Sequence, residues 1–91
     1  LCASCPIAKV ADIIGDPCSL LLIRDLLDGA KRFGELDESL GMSTRTLTKT
    51  LRRLEESGFI ARKGLEYSLT AKGRGLKKVI GEMRTYGKRY L

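Results

Sequence analysis

Arg45, Lys49 and Arg52 recur at i, i+4 and i+7 within the stretch Ser43-Thr-Arg-Thr-Leu-Thr-Lys-Thr-Leu-Arg-Arg-Leu-Glu-Glu-Ser-Gly58. At about 100° per residue, that spacing puts the three cations on one helical face. Ser43, Thr44 and Thr48 add hydroxyls near it, and Arg53 stands at its margin. Guanidinium and ammonium groups in such a row can meet phosphates and guanine edges. Threonines can reach base edges or phosphates, so the chemistry on offer is recognition of a DNA major groove. A merely solvated amphipathic helix is the plainer reading of the same residues.

The second reactive group is Cys2-x-x-Cys5, just ahead of a helix start. Free N–H groups and the helix dipole there favour a thiolate. A thioredoxin-like motif belongs after a strand in a βαβ context, which this sequence does not offer. Structural zinc takes four Cys or His ligands, whereas the chain has three cysteines and no histidine. A metal site would have to be shared across a dimer, and reduced thiols without a role remain the alternative. Glu35, Asp37 and Glu38 cluster without a nucleophile or histidine, which suits electrostatic trim at a helix start. With no phosphate-cradling glycine loop either, no enzyme, cofactor or metal is expected.

The elements that must position these groups are well punctuated. Leu47, Leu51 and Leu54 form the apolar stripe opposite the cations; Ser43 suits the N-cap and Gly58 a left-handed stop. Upstream, Pro6 opens a helix over residues 6–14 whose stripe is Ile7, Val10, Ala11, Ile13 and Ile14, ended by Gly15. Asp16-Pro17 starts a second helix running to Asp28, apolar nearly all round, with Cys18 as a small core side chain and Arg24 and Asp25 on its narrow exposed side. Lys31-Arg32-Phe33 suits an edge strand at most. Residues 34–40 read as a brief helix, so a helix-turn-helix is expected over about 34–57, its second helix being the reader. After Gly58, Phe59–Arg62 and Leu65–Leu69 form a hairpin around Lys63-Gly64, with Leu65, Tyr67 and Leu69 on one packed face. This wing spans about 59–69. Arg62 and Lys63 on it, with Lys31 and Arg32 on the edge strand, are further candidates for DNA contact. Thr70 caps a last helix over 71–90, with a stripe of Leu76, Val79, Ile80, Met83, Gly87 and Tyr90. That stripe is longer than one small core needs.

Seventeen Lys and Arg against eleven Asp and Glu give a net charge of +6 and a pI near 9.5. Such a balance points to nucleic acid or an anionic surface. Ninety-one residues make one domain, which buries only roughly 60–65% of its unfolded surface, so a partner subunit would help. No run approaches the roughly 18 apolar residues of a membrane span, and an odd cysteine count suits a reduced, cytoplasmic protein. The chain opens at Leu1 rather than Met, which leaves its native start open. The expected architecture is mainly α with a small β-hairpin, in the element order of a winged helix-turn-helix. The competing class is a winged helix used as a protein-interaction module of a transcription assembly. Only the short wing favours it.

The chain resembles the HxlR family of prokaryotic transcriptional regulators over almost its whole length. The carrying residues begin with Cys5-Pro6, Ile14-Gly15 and Ser19–Leu27, then Lys31-Arg-Phe33, Glu35-Leu36 and Met42-Ser43. They continue with Leu47, Leu51-Arg-Arg-Leu54, Gly58-Phe-Ile60, Arg62, Glu66–Thr70 and Gly73. The resemblance implies a homodimer on pseudo-palindromic operator DNA, with the first and last helices at the two-fold axis. Ile7, Val10 and Ile14 would meet Val79, Ile80, Met83 and Tyr90 there. It also implies that the Ser43 helix enters the major groove, and that a cysteine at the Cys5 position senses oxidant in some members. Cys2 would be a second thiol for that response; any small-molecule effector is unknown. Two departures stand out. The wing is shorter than the family's, which limits Arg62 and Lys63 to phosphate, and Cys18 replaces the usual tryptophan.

Overall fold

A computed structural model describes residues 5–91 and gives six helices and three strands. Helix α1 (Pro6–Ile14) ends at Gly15, and α2 (Pro17–Leu26) follows at once. Asp16 caps α2, its carboxylate accepting the Ser19 N–H at 3.0 Å, as the Asp-Pro pair leads one to expect. Strand β1 (Lys31–Arg32) leads into α3 (Phe33–Leu40), and α4 spans Thr44–Glu56. Gly41, with φ 66°, closes α3 in the left-handed region, and Gly58, with φ 80°, reverses the chain after α4. Strands β2 (Ile60–Lys63) and β3 (Glu66–Leu69) make the wing. Helices α5 (Ala71–Arg74) and α6 (Lys77–Tyr90) complete the chain. No described helix is long and apolar enough to cross a membrane.

The core forms around α2, which packs against α1, α3, α4 and β3. Leu22 and Ile23 of α2, Leu36 of α3, Leu47 and Leu54 of α4, and Ile60 of β2 are fully buried together. The predicted α4 stripe is therefore the side that packs. Asp25 is also buried. It accepts a 2.6 Å hydrogen bond from Ser39 Oγ and a 2.9 Å bond from Arg24, tying α2 to α3.

Several expectations need correction. The wing is not an isolated hairpin: β1 pairs with β3, giving a three-stranded antiparallel sheet in the order β1-β3-β2, with Lys31 opposite Tyr67 and Arg32 opposite Glu66. The turn is Gly64-Leu65 rather than Lys63-Gly64, since Lys63 pairs with Glu66. Gly64 alone takes positive φ there, as a glycine-first hairpin turn requires, so Leu65 is exposed at the tip instead of packed with Tyr67 and Leu69. Helix α2 stops at Leu26, two residues short of Asp28, and Asp25 faces the core rather than water. The last helix over 71–90 is two helices, interrupted at Gly75-Leu76. Within α5, Gly73 sits against the Phe59 carbonyl, where any Cβ would collide, and Leu76 at the break turns into the core.

Candidate nucleic-acid interface

Helix α4 is held from its apolar side and at both ends. Ser43 Oγ accepts the Thr46 N–H at 3.1 Å and donates to Thr46 Oγ1 at 2.9 Å. Beyond its C-terminus, Thr70 Oγ1 donates to the Gly58 carbonyl at 2.6 Å and accepts the Gly73 N–H at 3.2 Å. The same side chain caps α5 and fastens it to the end of α4. Thr50, buried, donates to the Thr46 carbonyl at 2.8 Å.

The opposite side of α4 is open. Thr44, Arg45, Thr48, Lys49 and Arg52 are all exposed. Among the described residues the ion pairs are Arg24–Asp25 and Arg53–Asp16, so Arg45, Lys49 and Arg52 join neither. The three cations share a face as their spacing requires. The hydroxyls are less free than the sequence suggests: Ser43 is occupied as the cap, and Thr48 donates to the Thr44 carbonyl at 2.8 Å. Each keeps acceptor capacity only.

Arg53 parts company with its neighbours. It points back to α2, donating to Asp16 Oδ1 at 2.6 Å and also to Ser19 Oγ. Burial alone would raise the Asp16 pKa, but hydrogen bonds from Arg53 and Ser19 and the Arg53 charge outweigh it and hold the carboxyl below its ordinary value. This residue is a strut between α4 and the α1–α2 junction. Beside it lies a cleft lined by Cys18, Thr46, Lys49 and Thr50. Cys18 is half-buried at that cleft and not a core side chain; its neighbour Ser19 is fully buried.

The wing supplies a second cationic edge. Arg62 Nε donates to the Gly64 carbonyl at 3.0 Å, and its guanidinium lies 5.5 Å from the Tyr67 ring centroid. Lys63 and Arg32 are exposed, and Lys31 is half-buried. Since β1 pairs with β3, all four belong to one small sheet. Two exposed cations that periodicity did not single out bond to carbonyls of their own chain. Lys72 Nζ donates to the Ser57 carbonyl at 3.0 Å, and Arg74 to the Leu69 carbonyl at 2.8 Å.

The residues expected at a two-fold axis divide into two groups. Ile14 and Ile80 lie in the core of their own subunit. Ile7 is 80% exposed, and Val10, Val79, Met83 and Tyr90 are also exposed large apolar residues. Tyr86 joins them, its ring 4.9 Å from that of Tyr90. Its i+7 spacing from Val79 was the available signal. Cys5 is the half-buried N-cap of α1, its carbonyl accepting the Lys9 N–H at 3.0 Å. Cys2 lies outside the described residues.

Residues 13–91 match the family described as HxlR-like helix-turn-helix. The chain is 41% identical over 95 residues to an uncharacterized HTH-type transcriptional regulator, sll1512, of Synechocystis sp. strain PCC 6803, covering 96% of this chain and 70% of that protein. The solved structure of quinone-bound YodB from B. subtilis has a TM-score of 0.87 and 31% identity, over 94% of this chain and 99% of that one. The redox regulator HypR in its oxidized form has a TM-score of 0.86 and 33% identity, over 96% and 98%. These relatives are regulators, not enzymes, and the winged helix-turn-helix is the fold they share with this protein. The chain belongs to the HxlR family of helix-turn-helix transcriptional regulators.

Proposed function

We propose that this regulator acts in the cytoplasm as a homodimer on a pseudo-palindromic operator, with α4 in the major groove of each half-site. The observation that carries the reading is the open face of α4, where Arg45, Lys49 and Arg52 project with no ion-pair partner among the described residues. Arg45, Lys49, Arg52 and Thr44 approach base edges and phosphates. Ser43 and Thr48, whose protons are already used, serve as acceptors or spacers. Arg62, Lys63 and Arg32, with Lys31 behind them, meet the phosphate backbone beside the groove. Arg53 is removed from direct contact and given the task of orienting α4 through Asp16.

The homodimer rests on the exposed apolar residues of α1 and α6. An isologous contact through Ile7, Val10, Val79, Met83, Tyr86 and Tyr90 would bury them about a two-fold axis. Two copies of α4 would then stand about one DNA turn, roughly 34 Å, apart. Oxidation of Cys5 is the signal this arrangement suits. The thiol starts the helix that carries Ile7 and Val10, so a disulfide to a thiol of the other subunit (its own mate or Cys2) would reset the spacing of the two α4 helices. A disulfide needs Cα atoms about 4.4–6.8 Å apart.

The test is a titration of the wild type and of Arg45, Lys49 and Arg52 alanine variants into duplex DNA at several salt concentrations. Tight, steeply salt-dependent binding that all three variants weaken supports the reading. Unchanged affinity in three folded variants removes α4 as the reader. For Cys5, non-reducing electrophoresis before and after mild peroxide is expected to show a covalent dimer in wild type and none in Cys5→Ser.

A further inference from the structure

A groove on the side of α1 away from Ile7 shares only Val10 with the surfaces used above. Its walls are Val10 and Ile13 of α1, Phe59 ahead of β2, and Leu76 at the α5–α6 break. Lys9 and Lys72 line it with Ser57 as the remaining polar residue, and no carboxylate lines it among the described residues. The groove encloses about 510 Å³, within the roughly 300–1,000 Å³ of small-molecule sites. Lys72 is held in place by its bond to the Ser57 carbonyl and by the Phe59 ring, 4.7 Å from its Nζ. That single acceptor leaves two of its three N–H donors for a ligand.

We propose that this groove binds a small amphipathic organic anion, its carboxylate or similar group between Lys9 and Lys72 and its apolar body against Ile13, Phe59 and Leu76. Charge complementarity selects this occupant. An apolar wall alone would accept any hydrophobe, but two cations without a counter-carboxylate disfavour a cation and leave a neutral molecule without its ionic partner. The groove is also separate from the face assigned to a second subunit. Ile7 and Ala11 line a hollow on the other flank of α1 with Leu20 and Met83, and Val10 and Ile14 form the ridge between the two.

The floor of the groove is the joint that fixes α4. Ser57 is the C-cap of that helix, and the Phe59 carbonyl accepts the Thr70 N–H at 3.0 Å. A ligand pressed between α1 and this joint would change the angle between the helix carrying Ile7 and the helix carrying Arg45. That consequence rests on the DNA-binding reading above; the binding itself does not.

The experiment is an amide-shift titration of the full chain, without DNA, using three matched probes: naphthylacetate, neutral naphthylacetamide and cationic naphthylmethylammonium. The expected result is saturable one-site binding of naphthylacetate, with shifts centred on Lys9, Ile13, Ser57, Phe59 and Lys72. The amide and the cation should bind about tenfold more weakly or worse. Lys72→Met should lose roughly tenfold in affinity. Because Lys72 also braces Ser57, Lys9→Glu, at an exposed position of α1, provides the second variant and should lose at least as much. The proposal is overturned by equal affinity for all three probes, by absence of saturation, by unchanged binding in both folded variants, or by shifts centred on Ile7, Met83 and Tyr86. Because no DNA is present, failure here leaves the operator titration standing, and failure there leaves this result standing.

Discussion

Helices α4 and α6 are nearly equal in length and both amphipathic, yet they use their apolar sides differently. In α4, Leu47, Leu51 and Leu54 are all buried by the same subunit. In α6, Ile80 is buried while Val79, Met83, Tyr86 and Tyr90 stay in water. Burying an apolar side chain stabilises by about 1.5–3 kcal/mol, so the two helices stand on different footings. One is complete within its subunit, and its polar face is free to meet a ligand. The other has apolar surface left over, which the proposed second subunit would cover. A helix that needs nothing further for its own stability, such as α4, is suited to the reading role proposed for it.

The sharpest way to break that contrast is to cut into each stripe. Leu47→Ala should destabilise the subunit by about 2–5 kcal/mol, read by denaturant unfolding. Met83→Ala should change subunit stability by less than about 1 kcal/mol while shifting the dimer toward monomer in sedimentation at tens of micromolar protein. Equal losses would show that the α6 face is covered within its own chain. Gly73→Ala tests the joint between the helices. The new methyl meets the Phe59 carbonyl and the Leu69 side chain, at a cost of about 1–3 kcal/mol. A tolerated alanine would mean that α5 is not fastened to the end of α4.

On the polar side, Arg45, Lys49 or Arg52 to Ala should each cost about 1–3 kcal/mol of operator binding where the contact is to a base. A phosphate contact would weaken all sequences alike and lower the salt slope by about one. Arg53→Ala should behave unlike these three, leaving the salt slope intact and lowering stability slightly. The smallest effect is the pH dependence of its partner. The folded-state pKa of Asp16 is depressed, so its stabilisation is complete above the unfolded carboxylate pKa and is lost as pH falls through the folded value. Both side chains are more than two-fifths exposed, which limits the pair to about 1 kcal/mol or less. Asp16→Asn should flatten that part of the acid-unfolding profile; an unchanged profile would show that the pair does not stabilise the fold.

Much of this was legible in the sequence because α4 and its surroundings obey local rules. Ser43, Gly41 and Gly58 mark ends by capping chemistry, and three leucines at helical spacing mark a buried side. The sequence is silent where contacts distant along the chain decide. Arg53 lies next to Arg52, yet its guanidinium bonds to the cap residue of α2, which periodicity does not show. Asp25 is charged and still faces inward, because Ser39, fourteen residues on, supplies a donor. The interruption at Gly75-Leu76 escapes periodicity, since Leu76 and Ile80 keep helical spacing on its far side. Periodicity shows which side of α1 and α6 is apolar, but not that Ile14 and Ile80 are covered at home while Ile7 and Met83 are not.

Selection of bound duplexes from a random pool by the full chain asks whether two such subunits present α4 as a symmetric pair. The expected result is enrichment of two inverted half-sites whose centres lie about one helical turn, roughly 34 Å, apart, and loss of that enrichment with Arg45→Ala, Lys49→Ala and Arg52→Ala combined. Enrichment of a lone half-site, or none at all from protein that is folded and reduced, would contradict it.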